Sequence, residues 1–285
     1  MAEHGWKVDF APGQKGKPQV LIDGFHYQQV TKGFTRQLES MKPCNFTSYT
    51  RGFPAQLIEE NVTSTNFHNK ITGDGTPVDF YNFLRWKMIP QNAGLKEPVV
   101  LKPHLMKHMY KDPKFIIILR NPTERLYSDY TFLNHGDSPQ SFHKDVLQAI
   151  QIEEGCMRNN SVRRCLYSLD VYRQLPTRIF IGCYSVFMKE WLNVFSREHF
   201  LVLRTEDYNN DMEGSLREVY DFLKLNYTDD FLSKIACIPH MHVTENKKKA
   251  GPMLEETRIL LNNLYRPYLN ELADILQDKK FLWLT

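Results

Sequence analysis

Arg120 closes an apolar run and Ser128 follows eight residues later, in Ile116-Ile-Ile-Leu-Arg120-Asn-Pro-Thr-Glu-Arg-Leu-Tyr-Ser128-Asp-Tyr130. A guanidinium is a planar fork that donates two parallel hydrogen bonds, which suits a pair of phosphate oxygens. A buried strand ending before Arg120 would deliver it to the carboxyl edge of a sheet, where open α/β folds bind their ligands. Ser128 then falls just over two turns into the next helix, so that its hydroxyl can share the same phosphate. As isolated residues the two would read as a sheet cap and a solvent-facing serine, and it is the whole run that points to an anion site. A second candidate is Lys32-Gly33-Phe34-Thr35-Arg36-Gln-Leu38. A tight turn opening onto a helix N-terminus offers orphan N–H groups and a favourable dipole to an anion. Read alone the segment is a surface turn, and Phe34 stands where a glycine would let the backbone approach a ligand closely.

These residues need elements to hold them. Phe115-Ile-Ile-Ile-Leu119 is a continuous apolar run of the kind buried on both faces of a parallel sheet. A helix is expected from Pro122 to Leu133, with proline in its first turn where a missing N–H costs nothing. An earlier strand is read at Pro18–Gly24, followed by a helix over Thr35–Met41. Residues 42–76, rich in Asn, Thr, Ser and Gly, read as an irregular excursion with a short helical patch at Gln56–Glu60. Helices at 139–154, 184–195, 212–224 and 253–276 and a buried strand at Phe200–Leu203 complete the alternation. The expected fold class is therefore α/β, one domain with a central parallel β-sheet flanked by helices.

The chain has 285 residues, 42% of them hydrophobic and 13% aromatic, enough to build a core without metal or oligomer. Its 36 Lys and Arg against 33 Asp and Glu leave +3, a balance that gives no support to a nucleic-acid binder, so a polyanion would have to be met by a local basic patch. The start, Met1 to Lys17, lacks the apolar centre of a signal peptide, and no run of about 18 apolar residues occurs. Either the chain is soluble or it is a trimmed domain. Sequons stand at Asn45, Asn61, Asn159 and Asn226, several of them expected by chance. The cysteines at 44, 156, 165, 183 and 237 have no zinc-type spacing, so no metal site is read.

The run from Ile116 to Tyr130 resembles the 3′-phosphate motif of the Golgi carbohydrate sulfotransferases that use 3′-phosphoadenosine 5′-phosphosulfate (PAPS): a hydrophobic strand, Arg-Asn-Pro, then Arg-x-x-Ser-x-Tyr. Similarity continues through Ile71–Gly75, Gly182-Cys-Tyr184 to Trp191-Leu192, Phe200 to Asp207, and Leu264-Tyr-Arg-Pro-Tyr268. It covers roughly residues 70–285, with 18–76 as a divergent 5′-phosphosulfate region, and implies one P-loop-like sulfotransferase domain over 1–285. Within the family it is nearest to the branch acting on N-acetylgalactosamine 4-sulfate in chondroitin and dermatan sulfate. The resemblance implies the following roles. Arg120 and Ser128 hold the 3′-phosphate. Lys32, Gly33, Thr35 and Arg36, which match the Lys-Gly-Gly-Thr-Arg form of heparan sulfate 3-O-sulfotransferases apart from Phe34, hold the 5′ end. Lys32 is the catalytic cation at the leaving oxygen. Lys248 and Lys249, in Lys247-Lys-Lys-Ala-Gly-Pro-Met253, form a loop over the nucleotide, or else a solvated turn. Cys156 and Cys165 match a family cysteine pair and would form a disulfide, with two separate buried thiols as the alternative. Arg158, Arg163 and Arg164 between them would meet a sulfated glycosaminoglycan. Tyr184 and Trp191 would stack on sugar or adenine, or equally serve as core aromatics. Tyr265 is read as packing of the last helix. No metal is implied, a membrane would be met only through an anchor outside this chain, and the implied compartment is the Golgi lumen.

Two departures stand against full activity. Phe34 is one. The other is Cys44-Asn-Phe-Thr-Ser-Tyr49, which lacks the family's glutamate base; Glu59, Glu60 and His68 are nearby substitutes, or else the ordinary surface residues such side chains usually are. A catalytically impaired relative that binds nucleotide or sulfated glycan is therefore the alternative reading. A P-loop kinase is set aside because no Gly-x-x-x-x-Gly-Lys-Ser/Thr occurs.

Overall fold

The computed structural model describes residues 19–23, 70–110, 112–133, 135–136, 138–237 and 250–284. The chain divides into two compact units, one comprising residues 1–77 with 220–231 and the other residues 78–219 with 232–285. Among the described residues of the first, β1 (Gln19–Asp23) pairs in parallel with β2 (Lys70–Asp74), Gln19 opposite Lys70 and Asp23 opposite Asp74. β1 coincides with the expected first strand. β2 corrects the expectation of an irregular segment up to residue 76. Lys70-Ile-Thr-Gly-Asp74 has a single large apolar residue and so shows no strand periodicity; the ladder with β1 makes it a strand.

In the second unit β3 (Phe115–Leu119) pairs in parallel with β4 (Phe200–Arg204), with Leu119 opposite Arg204. Parallel partners require a crossover. Here α1 (Lys102–Met109) lies ahead of β3, and the chain between the two strands is helical, with α2 (Pro122–Phe132), α3 (Pro139–Met157), α4 (Val162–Leu166), α5 (Leu169–Tyr172) and α6 (Tyr184–Leu192). β4 runs directly into α7 (Thr205–Asn210); α8 (Met212–Phe222) ends and α9 (Asp229–Ala236) begins within residues 220–231 of the first unit, and α10 (Glu255–Leu276) completes the described α-helices. The helices expected at Thr35–Met41 and Gln56–Glu60 lie outside the described residues, while from residue 78 onward the alternation expected from sequence is present, with α1, α4, α5 and α9 added. These four are short or polar and offer too few turns for a periodic pattern.

The core of this unit is aromatic. Phe115 lies edge-on to Trp191 and Phe195 at 4.9 Å and stacks on Phe200 at 5.1 Å, which fixes the start of β3 against α6 and β4. Trp191 donates from Nε1 to the Phe80 carbonyl at 3.0 Å. One expectation fails at β3: the strand is not buried on both faces, since Ile116 and Ile118 are 39% and 53% exposed while Leu119 is buried. Alternate residues of a strand face opposite ways, and in β3 the covered side is that of Phe115, Ile117 and Leu119.

Candidate functional site

α2 begins where β3 ends, and Asn121 makes that corner sharp. Its side chain accepts from the N–H groups of Thr123 at 3.0 Å and Glu124 at 3.3 Å, an N-cap ahead of Pro122 at the first helical position. The Thr123 hydroxyl donates to Asn262 of α10 at 2.7 Å, and Arg258 of α10 pairs with Glu124. The helix is held from its far side as well. Arg125 donates to the Arg178 carbonyl at 3.0 Å and pairs with Asp129 at 3.3 Å, while Arg178 forms its own ion pair with Asp129. Burial alone would raise the Asp129 carboxyl, but Arg125 and Arg178 outweigh it and hold the group below the ordinary carboxylate range. The Tyr130 hydroxyl donates to Asp145 of α3 at 2.7 Å.

The run from Arg120 to Tyr130 therefore divides by direction. Arg125, Asp129 and Tyr130 turn into the protein and fix α2, whereas Arg120 and Ser128 are half-buried, and their polar heads have no hydrogen-bond or ion-pair partner among the described residues. A half-buried guanidinium whose charge is not met by protein is the feature a phosphate site needs. A cavity of about 220 Å³ opens at the same corner, lined by Asn121 and Thr123 with Tyr265, Arg266, Leu269 and Trp283 among others; Arg120 and Ser128 are not part of that lining.

Beside Ser128, the Tyr127 hydroxyl donates to the Gly251 carbonyl at 2.9 Å. Gly251 has φ +81°, a conformation that favours glycine. The end of the Lys247–Met253 segment is thereby tied to the turn of α2 that carries Ser128. Lys248 and Lys249 themselves, like Lys32, Gly33, Phe34, Thr35 and Arg36, lie outside the described residues, as do Cys44, Glu59, Glu60 and His68.

Cys156, near the end of α3, is disulfide-bonded to Cys165 of α4, with Cα atoms 5.9 Å apart. Arg158 and Arg164 on that loop are exposed, with side chains that have no partner among the described residues. Arg163 differs. It pairs with Glu190, lies 3.5 Å from Glu97, and sits over the Tyr167 ring at 5.7 Å. Its head is already committed to holding α4 against α6.

Tyr184 is corrected as a sugar-contacting residue: it is only 3% exposed, and its hydroxyl donates to the Arg120 carbonyl at 2.9 Å. It starts α6, a helix most of whose residues, Trp191 included, are buried. Trp191 is buried as well, which resolves both toward the core reading. Tyr265 is fully buried and donates to the Ile179 carbonyl at 2.9 Å. A Cβ on Gly182 would lie 2.4 Å from the Tyr265 ring, so Gly182 lets α10 approach the start of α6. Sequence reading missed the partners of this corner in β4 and α7. There Arg204 pairs with Asp207, donates to the Lys280 carbonyl at 2.7 Å, and lies 6.0 Å from the Trp283 ring. The available signal was Arg204-Thr-Glu-Asp207 directly after an apolar strand.

A parallel strand that leads into Arg120 and a capped helix bearing Ser128, the two polar heads without partners among the described residues, is an α/β arrangement of the kind that meets anions at a strand's carboxyl end. The chain belongs to the sulfotransferase-domain family, which matches residues 47–266. It is 32% identical over 218 residues to carbohydrate sulfotransferase 15 of Mus musculus and 31% identical over 221 residues to that of Homo sapiens. Each alignment covers 75% of this chain and 39% of the relative, so the chain spans well under half the length of those proteins. Among solved structures, a sulfotransferase from Alicyclobacillus acidocaldarius aligns with a TM-score of 0.39 and 21% identity, covering 62% of this chain and 60% of that one. Among the described residues no helix is long and apolar enough to cross a membrane.

Proposed function

We propose that this protein transfers a sulfuryl group from PAPS to a hydroxyl of a glycosaminoglycan, with N-acetylgalactosamine 4-sulfate of chondroitin or dermatan sulfate as the acceptor unit. The observation that carries this reading is the half-buried Arg120 guanidinium just beyond β3, which has no partner among the described residues. With the Ser128 hydroxyl it would take the nucleotide's 3′-phosphate. Lys32, Gly33, Thr35 and Arg36 would receive the 5′ end, and Lys248 and Lys249 would approach from the segment that Tyr127 anchors. Arg158 and Arg164 would meet the anionic polymer, and Arg163 would hold their loop through Glu190.

In the reaction the acceptor oxygen bonds to sulfur as the bond from sulfur to the bridging oxygen breaks. The acceptor proton passes to a base, and adenosine 3′,5′-bisphosphate leaves. The protein's contribution is position and charge, with Lys32 offsetting the negative charge that grows on the bridging oxygen. A Golgi lumen fits the Cys156–Cys165 disulfide, which persists in an oxidising compartment.

Arg120→Ala is expected to weaken bisphosphate binding by about 2–5 kcal/mol, the usual loss when one partner of a charged hydrogen-bonded pair is removed. Calorimetry showing unchanged affinity would remove the main support. Phe34 and the missing glutamate favour a second reading, a non-catalytic relative that binds nucleotide or sulfated glycan. Transfer of label from PAPS to desulfated and 4-sulfated chondroitin separates the two, because tight nucleotide binding without transfer to either acceptor leaves the binding protein.

A further inference from the structure

We infer that Glu206 is a positioning residue for Arg120, fixing the strand end so that the guanidinium alone is left to meet the nucleotide's phosphate. This rests on the reading of Arg120 given above.

The ladder between β3 and β4 ends with Leu119 opposite Arg204, so the peptide groups just beyond have no strand partner. α2 does not satisfy the Asn121 N–H either, because Asn121 is its N-cap. Side chains from two other elements fill the gap. Glu206 accepts from the Asn121 N–H through Oε1 at 2.8 Å. Its neighbour Thr205 donates to the Leu119 carbonyl at 3.1 Å, and Tyr184 donates to the Arg120 carbonyl at 2.9 Å. The backbone on both sides of Arg120 is thus bonded by side chains, while its own side chain is left without a partner among the described residues. A pinned main chain under a free head keeps the misplacement of a ligand-binding group small, which is where affinity and rate are most sensitive.

Glu206 is the charged member of this clamp. An ionised acceptor makes a stronger bond to N–H than a neutral one, so Glu206 should contribute most of the restraint. Its second oxygen, Oε2, is shut off from solvent with no partner among the described residues. Leaving a buried carboxylate oxygen unsatisfied is costly, and a residue with a packing role alone would not need it. Tyr184 lies within the electrostatic reach of Glu206 and Arg120 together, which sets all three around one corner.

The test is the affinity of the protein for adenosine 3′,5′-bisphosphate by calorimetry, with donor and acceptor KM and kcat where transfer is measurable. Variants are Glu206→Ala, Glu206→Gln, Thr205→Val and Arg120→Ala. Glu206→Ala is expected to weaken nucleotide binding on the order of 10-fold and to raise the donor KM with the acceptor KM unchanged. Glu206→Gln keeps an oxygen for the Asn121 N–H and should recover most of that loss. Wild-type affinity in Glu206→Ala, with Arg120→Ala deficient, overturns the positioning role and leaves the Arg120 reading standing. Wild-type affinity in Arg120→Ala overturns the underlying site instead. Should Glu206→Ala fail to fold, Thr205→Val removes one clamp bond at nearly constant volume; nucleotide affinity several-fold weaker supports the clamp, and unchanged affinity overturns it.

Discussion

Glu153 of α3 is 5% exposed, its Oε1 has no partner among the described residues, and burial alone acts on its carboxyl, which favours the protonated form. Burial pushes its pKa up to about 8. The folded state therefore binds this proton more tightly than the unfolded chain, and the sign follows. Its contribution is fully present below the unfolded value near 4.5 and is lost as pH rises through about 8. Glu153→Gln should flatten the dependence of stability on pH between those limits, with a gain of a few kcal/mol at the alkaline end. Denaturant midpoints measured at pH 5, 7 and 9 check this, and parallel curves for the two proteins would refute it. Asp129 acts oppositely, because its partners Arg125 and Arg178 hold it ionised and its contribution is lost as pH falls through its lowered pKa.

At the scale of the element, α2 determines whether Arg120 and Ser128 belong to one surface. Its start depends on Asn121, whose side chain meets two orphan N–H groups. Asn121→Ala should lower stability by about 0.5–2 kcal/mol, the range for loss of an N-cap, and thermal denaturation will measure it. The strand and helix themselves were legible: an unbroken apolar run and a proline at the first helical position are local signals, and β3 and α2 form where they were expected. β2 was not, because Lys70–Asp74 owes its conformation to a partner strand far away in sequence. The exposure of Ile116 and Ile118 was equally hidden, since hydrophobic content shows that a residue can be buried and not what covers it.

For the whole molecule, the Cys156–Cys165 bridge joins the end of α3 to α4 and keeps Arg158 and Arg164 on one closed loop. Replacing both cysteines with serine should cost about 2–3 kcal/mol for a loop of this size. It should also impair use of the polymeric acceptor more than binding of adenosine bisphosphate, since the arginines sit on the loop and Arg120 does not. Equal losses in both assays would count against the acceptor role of the loop. The 31–32% identity to carbohydrate sulfotransferase 15 concerns this domain and leaves the remaining length of those relatives unmatched.

Sequence by itself determined the family, the strands β1, β3 and β4 with the longer described helices, and the placing of an arginine and a serine eight residues apart across a strand-to-helix corner, because each is written in contiguous residues with local physical preferences. Only the tertiary structure decided which polar groups are free. It separated Arg163 from Arg158 and Arg164 by giving it Glu190, turned Tyr184 from a ligand contact into a support for Arg120, and brought Glu206 to the Asn121 N–H across 85 residues. Those outcomes depend on which surfaces pack together, and a side chain's availability for chemistry is what remains after its protein partners have been satisfied.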